Sequence, residues 1–154
     1  MRSFFITLLS GFLFCSCTKD GPSEVSADVY ALNEMHETAR RCFDLANACY
    51  SGNTSAVQNA IAESADNFPC RDMLIRLLEQ KRFEETAYVL SLIWAQDLIM
   101  AHSSPRAAPQ VAPLDDEEVE LIESSEVMQK IKIANYDIFQ VIERIFETQK
   151  GGNQ

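Results

Sequence analysis

FEETAYVLSLIWAQDLIMA, residues 83–101, is the stretch on which the fold turns. From Ala87 to Ala101 only Ser91, Gln96 and Asp97 are polar. A helix with that pattern is apolar on nearly every side and belongs at the centre of a bundle. It is too short to cross a bilayer, which takes about 20 apolar residues, and it carries Asp97 inside. Trp94 is expected to be its core anchor.

Upstream, residues 25–50 place Val29, Leu32, His36, Ala39, Phe43, Ala46 and Tyr50 at spacings of three and four. That is one continuous apolar stripe along a helix, closed by Gly52-Asn53. Thr54 is the expected N-cap of a short second helix running to about residue 65, with Val57 and Ile61 inward. Asp66-Asn67-Phe68-Pro69 breaks it, and Pro69 suits the first turn of a third helix. That helix, residues 70–81, carries Met73, Leu74, Leu77 and Leu78, and Lys81-Arg82 makes a charged corner before the central helix.

Downstream, residues 103–114 (SSPRAAPQVAPL) hold Pro105, Pro109 and Pro113, which predicts an extended, semi-rigid connector. Seven acidic residues then lie between Asp115 and Glu126 with no basic one. They lack the alternating Asp spacing and glycine of a calcium loop, whereas carboxylates at a helix N-terminus complement its dipole. One last helix is expected over residues 115–150. In it Ile131, Ile138 and Ile145 form one row of a seven-residue seam, and Val127, Ala134 and Val141 the other. Phe139, Ile142 and Phe146 widen that face, so the helix is expected to lie on the domain of residues 27–102. The predicted fold is all-α: a small bundle of four to five helices built from αα-hairpins, preceded by a signal helix.

The N-terminus supplies an address. Arg2 and the free amine precede an eleven-residue apolar run, residues 4–14 (FFITLLSGFLF), which has the length of a signal-peptide core. Leu13-Phe14-Cys15-Ser16-Cys17-Thr18 follows. It resembles the lipobox of bacterial lipoproteins, in which a small residue precedes the acylated cysteine. Ser16 fits that position, while Phe14 and Cys15 stand where Leu or Val and Ala or Ser are usual. The resemblance covers residues 1–17. It implies removal of residues 1–16, a diacylglycerol thioether on Cys17, and an envelope location anchored to the outer or the cytoplasmic membrane. Residues 17–26 would then be the lipidated cysteine and a flexible polar tether. The other reading is ordinary secretion, with Cys15 and Cys17 as the small residues of the cleavage site.

Two further resemblances concern hairpins. Ala48, Gly52, Asn53, Val57, Ile61, Ala65 and Asp66 resemble half an ankyrin repeat, although nothing recurs at a period of about 33 residues. RLLEQKRFEETAYVLSLIW, residues 76–94, is similar to a tetratricopeptide hairpin. The first segment also fits a generic αα-hairpin, with small residues at the crossing and glycine at the turn, and that is the expected reading; the second has the small residues of its pattern only in part.

Charge and chemistry narrow the functions. The chain carries a formal net charge of −10, which repels nucleic acid and anionic headgroups. Any hold on a membrane is therefore expected to come through lipid on Cys17. Of the five cysteines, Cys42, Cys49 and Cys70 remain in the mature domain. In an oxidising compartment one disulfide is expected at most. Cys42 and Cys49 on one helix stand about 10.5 Å apart along its axis, too far to bridge, so Cys70 would pair with Cys42 or Cys49. Three buried thiols are the alternative. No nucleophile elbow, zinc-protease helix or phosphate-cradling loop occurs, so no catalytic residue, metal ligand or cofactor is assigned. The expectation is a non-enzymatic helical module for protein interaction or structure, facing an envelope protein partner. The competing expectation is a periplasmic or secreted enzyme or metal-handling protein centred on His36.

Overall fold

Helices α1 (Glu24–Tyr50), α2 (Thr54–Ala62), α3 (Arg71–Glu79), α4 (Phe83–Ser103), α5 (Asp116–Glu123), α6 (Glu126–Ala134) and α7 (Tyr136–Gly151) account for nearly all of the described chain. The computed structural model describes residues 24–103 and 114–151, and the side chains of α1 from His36 onward. Among these residues every regular element is a helix, so the fold is all-α. The expected leader, Cys17, most of the tether and most of the proline-rich connector lie outside the described residues. The chain divides into two compact units, Met1–Ala31 and Leu32–Gln154. The helices from Leu32 onward make up the second.

In that unit α4 is the axis. Ala87, Leu90, Ala95 and Trp94 are buried, and α3, α6 and α7 all pack against it. Helix α1 lies antiparallel along it: the Phe43 and Trp94 ring centroids are 4.8 Å apart and tilted at 49°, and Cys49 Sγ donates to Phe83 O at 3.1 Å. The two buried hydroxyls of α4 are satisfied by its own backbone. Thr86 donates to Arg82 O at 2.9 Å and Ser91 to Ala87 O at 2.7 Å. A buried hydroxyl in this helix can therefore satisfy its donor one turn back along the chain.

The turns follow from local chemistry. After α1, Gly52 takes φ +85, and the amides of Gly52 and Asn53 close back on Cys49 O and Ala48 O. This is a left-handed C-cap that satisfies two orphan carbonyls and favours glycine. The same pattern ends α3: Lys81 N–H donates to Leu78 O and Arg82 N–H to Leu77 O, with Lys81 at φ 57. The charged corner is thus a C-cap made without glycine. Asn53 rather than Thr54 occupies the N-cap of α2.

Pro69 does not open the third helix. It lies in a turn before Cys70, which sits at the N-cap of α3 with φ 55 and ψ 23. Phe68 explains the difference. It is 8% exposed, and holding it inward takes two tight turns, Phe68 N–H to Ala65 O and Arg71 N–H to Phe68 O.

The single C-terminal helix is replaced by three. Asp115 and Glu118 form a reciprocal capping box at the start of α5, so part of the acidic run serves as a helix start. Ser125 accepts from Met128 N–H and starts α6. Asn135, at φ −150 and ψ 82, ends α6, and its side chain accepts from Ile138 N–H at the start of α7. Serine and asparagine compete for backbone groups in this way and favour helix ends. The break at Asn135 turns the seam. Val127 and Ile131 stay buried, whereas Ala134 and Val141 are exposed, and Phe139, Ile142 and Phe146 become the inward face of α7.

Candidate functional site

Cys17, the expected lipidation site, lies among residues 1–23 and thus outside the described residues. The other residues singled out by the sequence are distributed along α1, α3 and α4.

His36 lies in the α1–α4 interface. Its Nδ1 is 2.7 Å from Asp97 Oδ2, and the two side chains are 25% and 18% exposed. Facing a carboxylate, Nδ1 must be the protonated nitrogen and donate. That fixes the ring and leaves Nε2 as the nitrogen open to other chemistry. Asp97, one of three polar residues in the central stretch of α4, thus has a specific partner 61 positions away. The pairing was legible only in outline: an isolated histidine on one apolar stripe and an isolated aspartate on another. His102, at the end of α4, donates through Nδ1 to Leu98 O at 2.9 Å, and its Nε2 accepts from the Gln149 amide of α7. Both imidazoles therefore tie helices together.

The three thiols are free in the structure, Cys42 and Cys49 buried and Cys70 half-buried. Burial, then the neighbouring Cys70, push the Cys42 thiol up from 9.0 to about 12; Asp97 adds to the rise and Arg41 opposes it. Burial likewise raises Cys49, opposed by the Ala87 amide, and raises Cys70. Thiols held protonated are weak nucleophiles and weak metal ligands at neutral pH. Tyr50 is raised from 10.0 to about 12, by burial first and against a hydrogen bond with Ser91. Its ring also carries the Lys130 ammonium at 5.5 Å.

These shifts have a consequence for stability. The unfolded chain releases the Cys42 and Tyr50 protons from about pH 9 to 10, whereas the fold holds them to about 12. Their contribution is complete below pH 9 and drains away as pH rises towards 12. In the reduced protein, urea unfolding at about pH 8 and about pH 10.5 is expected to show a large alkaline loss. Cys42→Ala is expected to lose less over the same interval. An equal loss in both proteins would remove Cys42 from the account.

Among the described residues, no group of three His, Cys, Asp or Glu is placed to hold a metal ion, and no helix is long and apolar enough to cross a membrane. The acidic run contributes ion pairs at its surface: Glu118 with Arg40, and Glu123 with Lys150 at 2.9 Å. Such exposed pairs contribute about 0–1 kcal/mol each.

One surface feature escaped the sequence reading. At the corner between α6 and α7, Ile133 is 84% and Tyr136 55% exposed. The Tyr136 ring stacks at 6.0 Å on Phe139, whose face is covered by the Lys132 ammonium at 5.0 Å. Together these features define a small all-α protein whose polar pairs join helices and which exposes Ile133 and Tyr136 at one corner, with Leu121, Met100 and Val141 exposed elsewhere. Comparison with protein-family models, curated proteins and solved structures finds no match to this chain.

Proposed function

We propose that the chain is a lipid-anchored protein of the bacterial cell envelope, and that its helical domain serves as a non-enzymatic module for protein interaction or structure. The observation that carries the reading is Cys15-Ser16-Cys17 directly after the eleven-residue apolar run of residues 4–14. Acyl chains contribute about 0.8 kcal/mol per buried CH2, so two or more chains anchor stably where the acidic domain itself would be repelled. An interaction role draws support from the exposed Ile133 and Tyr136, since exposed apolar side chains gathered at one place mark contact surfaces more than scattered ones do.

A second reading, a periplasmic or secreted enzyme or metal-handling protein, is favoured by one observation. A carboxylate holding the far nitrogen of an imidazole, as Asp97 holds His36, is the arrangement that orients a metal-binding or proton-transferring histidine. On that reading the purified protein carries stoichiometric metal that His36→Ala loses.

The deciding experiment is intact mass of the protein purified from bacterial membranes, alongside Cys17→Ala. The expected result is a species beginning at Cys17, heavier by its acyl chains, and absent from the mutant. An unmodified species in the soluble fraction would overturn the anchor. Mild crosslinking is then expected to trap an envelope protein in the wild type. Ile133→Asp should lose it while melting as the wild type does, because a side chain this exposed contributes little to folding.

A further inference from the structure

Helix α7 carries two apolar faces, and the fold uses one of them. Phe139, Ile142 and Phe146 point into the domain and are 8%, 0% and 0% exposed. About 100° further round the helix run Ile138, Val141 and Ile145, the α7 part of the seven-residue seam. Val141 is 38% exposed, and Ile138 and Ile145 are half-buried. Three β-branched residues at spacings of three and four are thus left on the flank of the helix. Along the outer edge of that row stand Asp137 and Arg144, both exposed. They lie on one line two turns apart, about 10.5 Å along the axis. Among the described residues neither takes part in an ion pair, whereas Arg40 and Lys150 are paired within the chain. Tyr136 lies about 140° round from Val141, so this face is distinct from the corner of Ile133 and Tyr136.

We propose that this face of α7 pairs with the same face of a second copy of the chain, the two helices antiparallel about a two-fold axis near Val141. The charges choose that occupant and that direction. A two-fold pairing sets one patch against itself. In an antiparallel helix pair each edge of the seam meets the same edge of its partner, which places Asp137 of one copy opposite Arg144 of the other, twice over. Parallel helices would set the charged edge against the other edge of the row, which is apolar where it runs into Ile142. The two reciprocal ion pairs oppose the repulsion between two strongly acidic domains. Between them Ile138, Val141 and Ile145 of both copies leave water. A helix of 16 residues is about 24 Å long, so the interface falls at the small end, about 1,200 Å² or less, and the dimer is a weak one. Attachment to a shared membrane would raise the local concentration. That gain rests on the anchor proposed above; the pairing does not.

The test is sedimentation equilibrium of the purified protein over a concentration series, in density-matched detergent where the protein comes from membranes. The expected result for the wild type is a reversible monomer–dimer equilibrium. Asp137→Arg and Arg144→Asp should each weaken it about tenfold, because two attractive pairs become two repulsive ones. The double variant that exchanges the two charges should regain wild-type association. An equimolar mixture of the two single variants should form a mixed dimer, since each supplies the charges that the other lacks. All of these variants should melt as the wild type does, because both positions are exposed. A wild type that stays monomeric throughout, or a dimer indifferent to these charges, would overturn the pairing. Intact mass separates the two ideas. Unmodified protein that dimerises in this way keeps the pairing and removes the anchor, and lipidated protein that stays monomeric does the reverse.

Discussion

Phe146→Ala is expected to destabilise the domain by about 3–5 kcal/mol, the range for deleting a large aromatic from a packed core. Phe146 leads the largest side chains that are fully buried, at 0% exposure. It completes the inward face that Phe139 and Ile142 begin on α7, and α7 packs on α4 and α6. Removing the ring takes away the transfer free energy and leaves a cavity that neighbouring helices on two sides cannot readily fill. Small domains have only about 5–15 kcal/mol in total, so the loss is a large share. Urea unfolding should show a lower midpoint with an unchanged slope. A loss below about 1 kcal/mol would mean that α7 does not dock on α4 as described.

Trp94→Ala should cost a similar amount, about 3–5 kcal/mol, for a related but separable reason. Trp94 is 7% exposed in the middle of α4, and its ring meets Phe43 of α1 in a tilted arrangement. Part of the loss is burial and part is the specific ring contact. The two are separated by a double-mutant cycle with Phe43→Ala, in which aromatic pairs typically show about 0.5–1.5 kcal/mol of coupling. Strictly additive losses would place α1 against α4 in some other register. The cycle also tests the His36–Asp97 pair indirectly, because the same antiparallel register brings both contacts together.

Most helices were legible in the chain because their causes are local. The stripe of α1, the Leu74, Leu77 and Leu78 run of α3 and the all-round apolar surface of α4 each declare a 3.6-residue period within a few turns. The reading failed where two local signals competed. Residues 127–146 carry a heptad seam and also Asn135, and the seam suggested one long helix. Asparagine won because its side chain caps α7 and because two short helices can fold back on each other around α4. Pro69 was misplaced for a similar reason. Its preference for a helix start was overridden by the burial of Phe68 beside it.

The candidate sites divide in the same way. His36 was visible as an imidazole on an apolar stripe, but Asp97 is 61 residues distant and only the antiparallel docking of α1 and α4 puts it at 2.7 Å. Helical spacing alone excluded a Cys42–Cys49 bridge, whereas the commitment of Cys49 to Phe83 O needed the packed fold. Ile133 and Tyr136 fall on none of the rows of the seam, and the packed fold shows how fully they stand exposed.

By itself, then, the amino-acid sequence determined an all-α protein with a central apolar helix and a strongly acidic surface, since periodicity and charge act over neighbouring residues. Tertiary structure alone decided where the last helix breaks, which apolar residues remain outside, and which polar groups meet. Those outcomes depend on contacts between segments far apart in the chain, where burial of one face excludes burial of another.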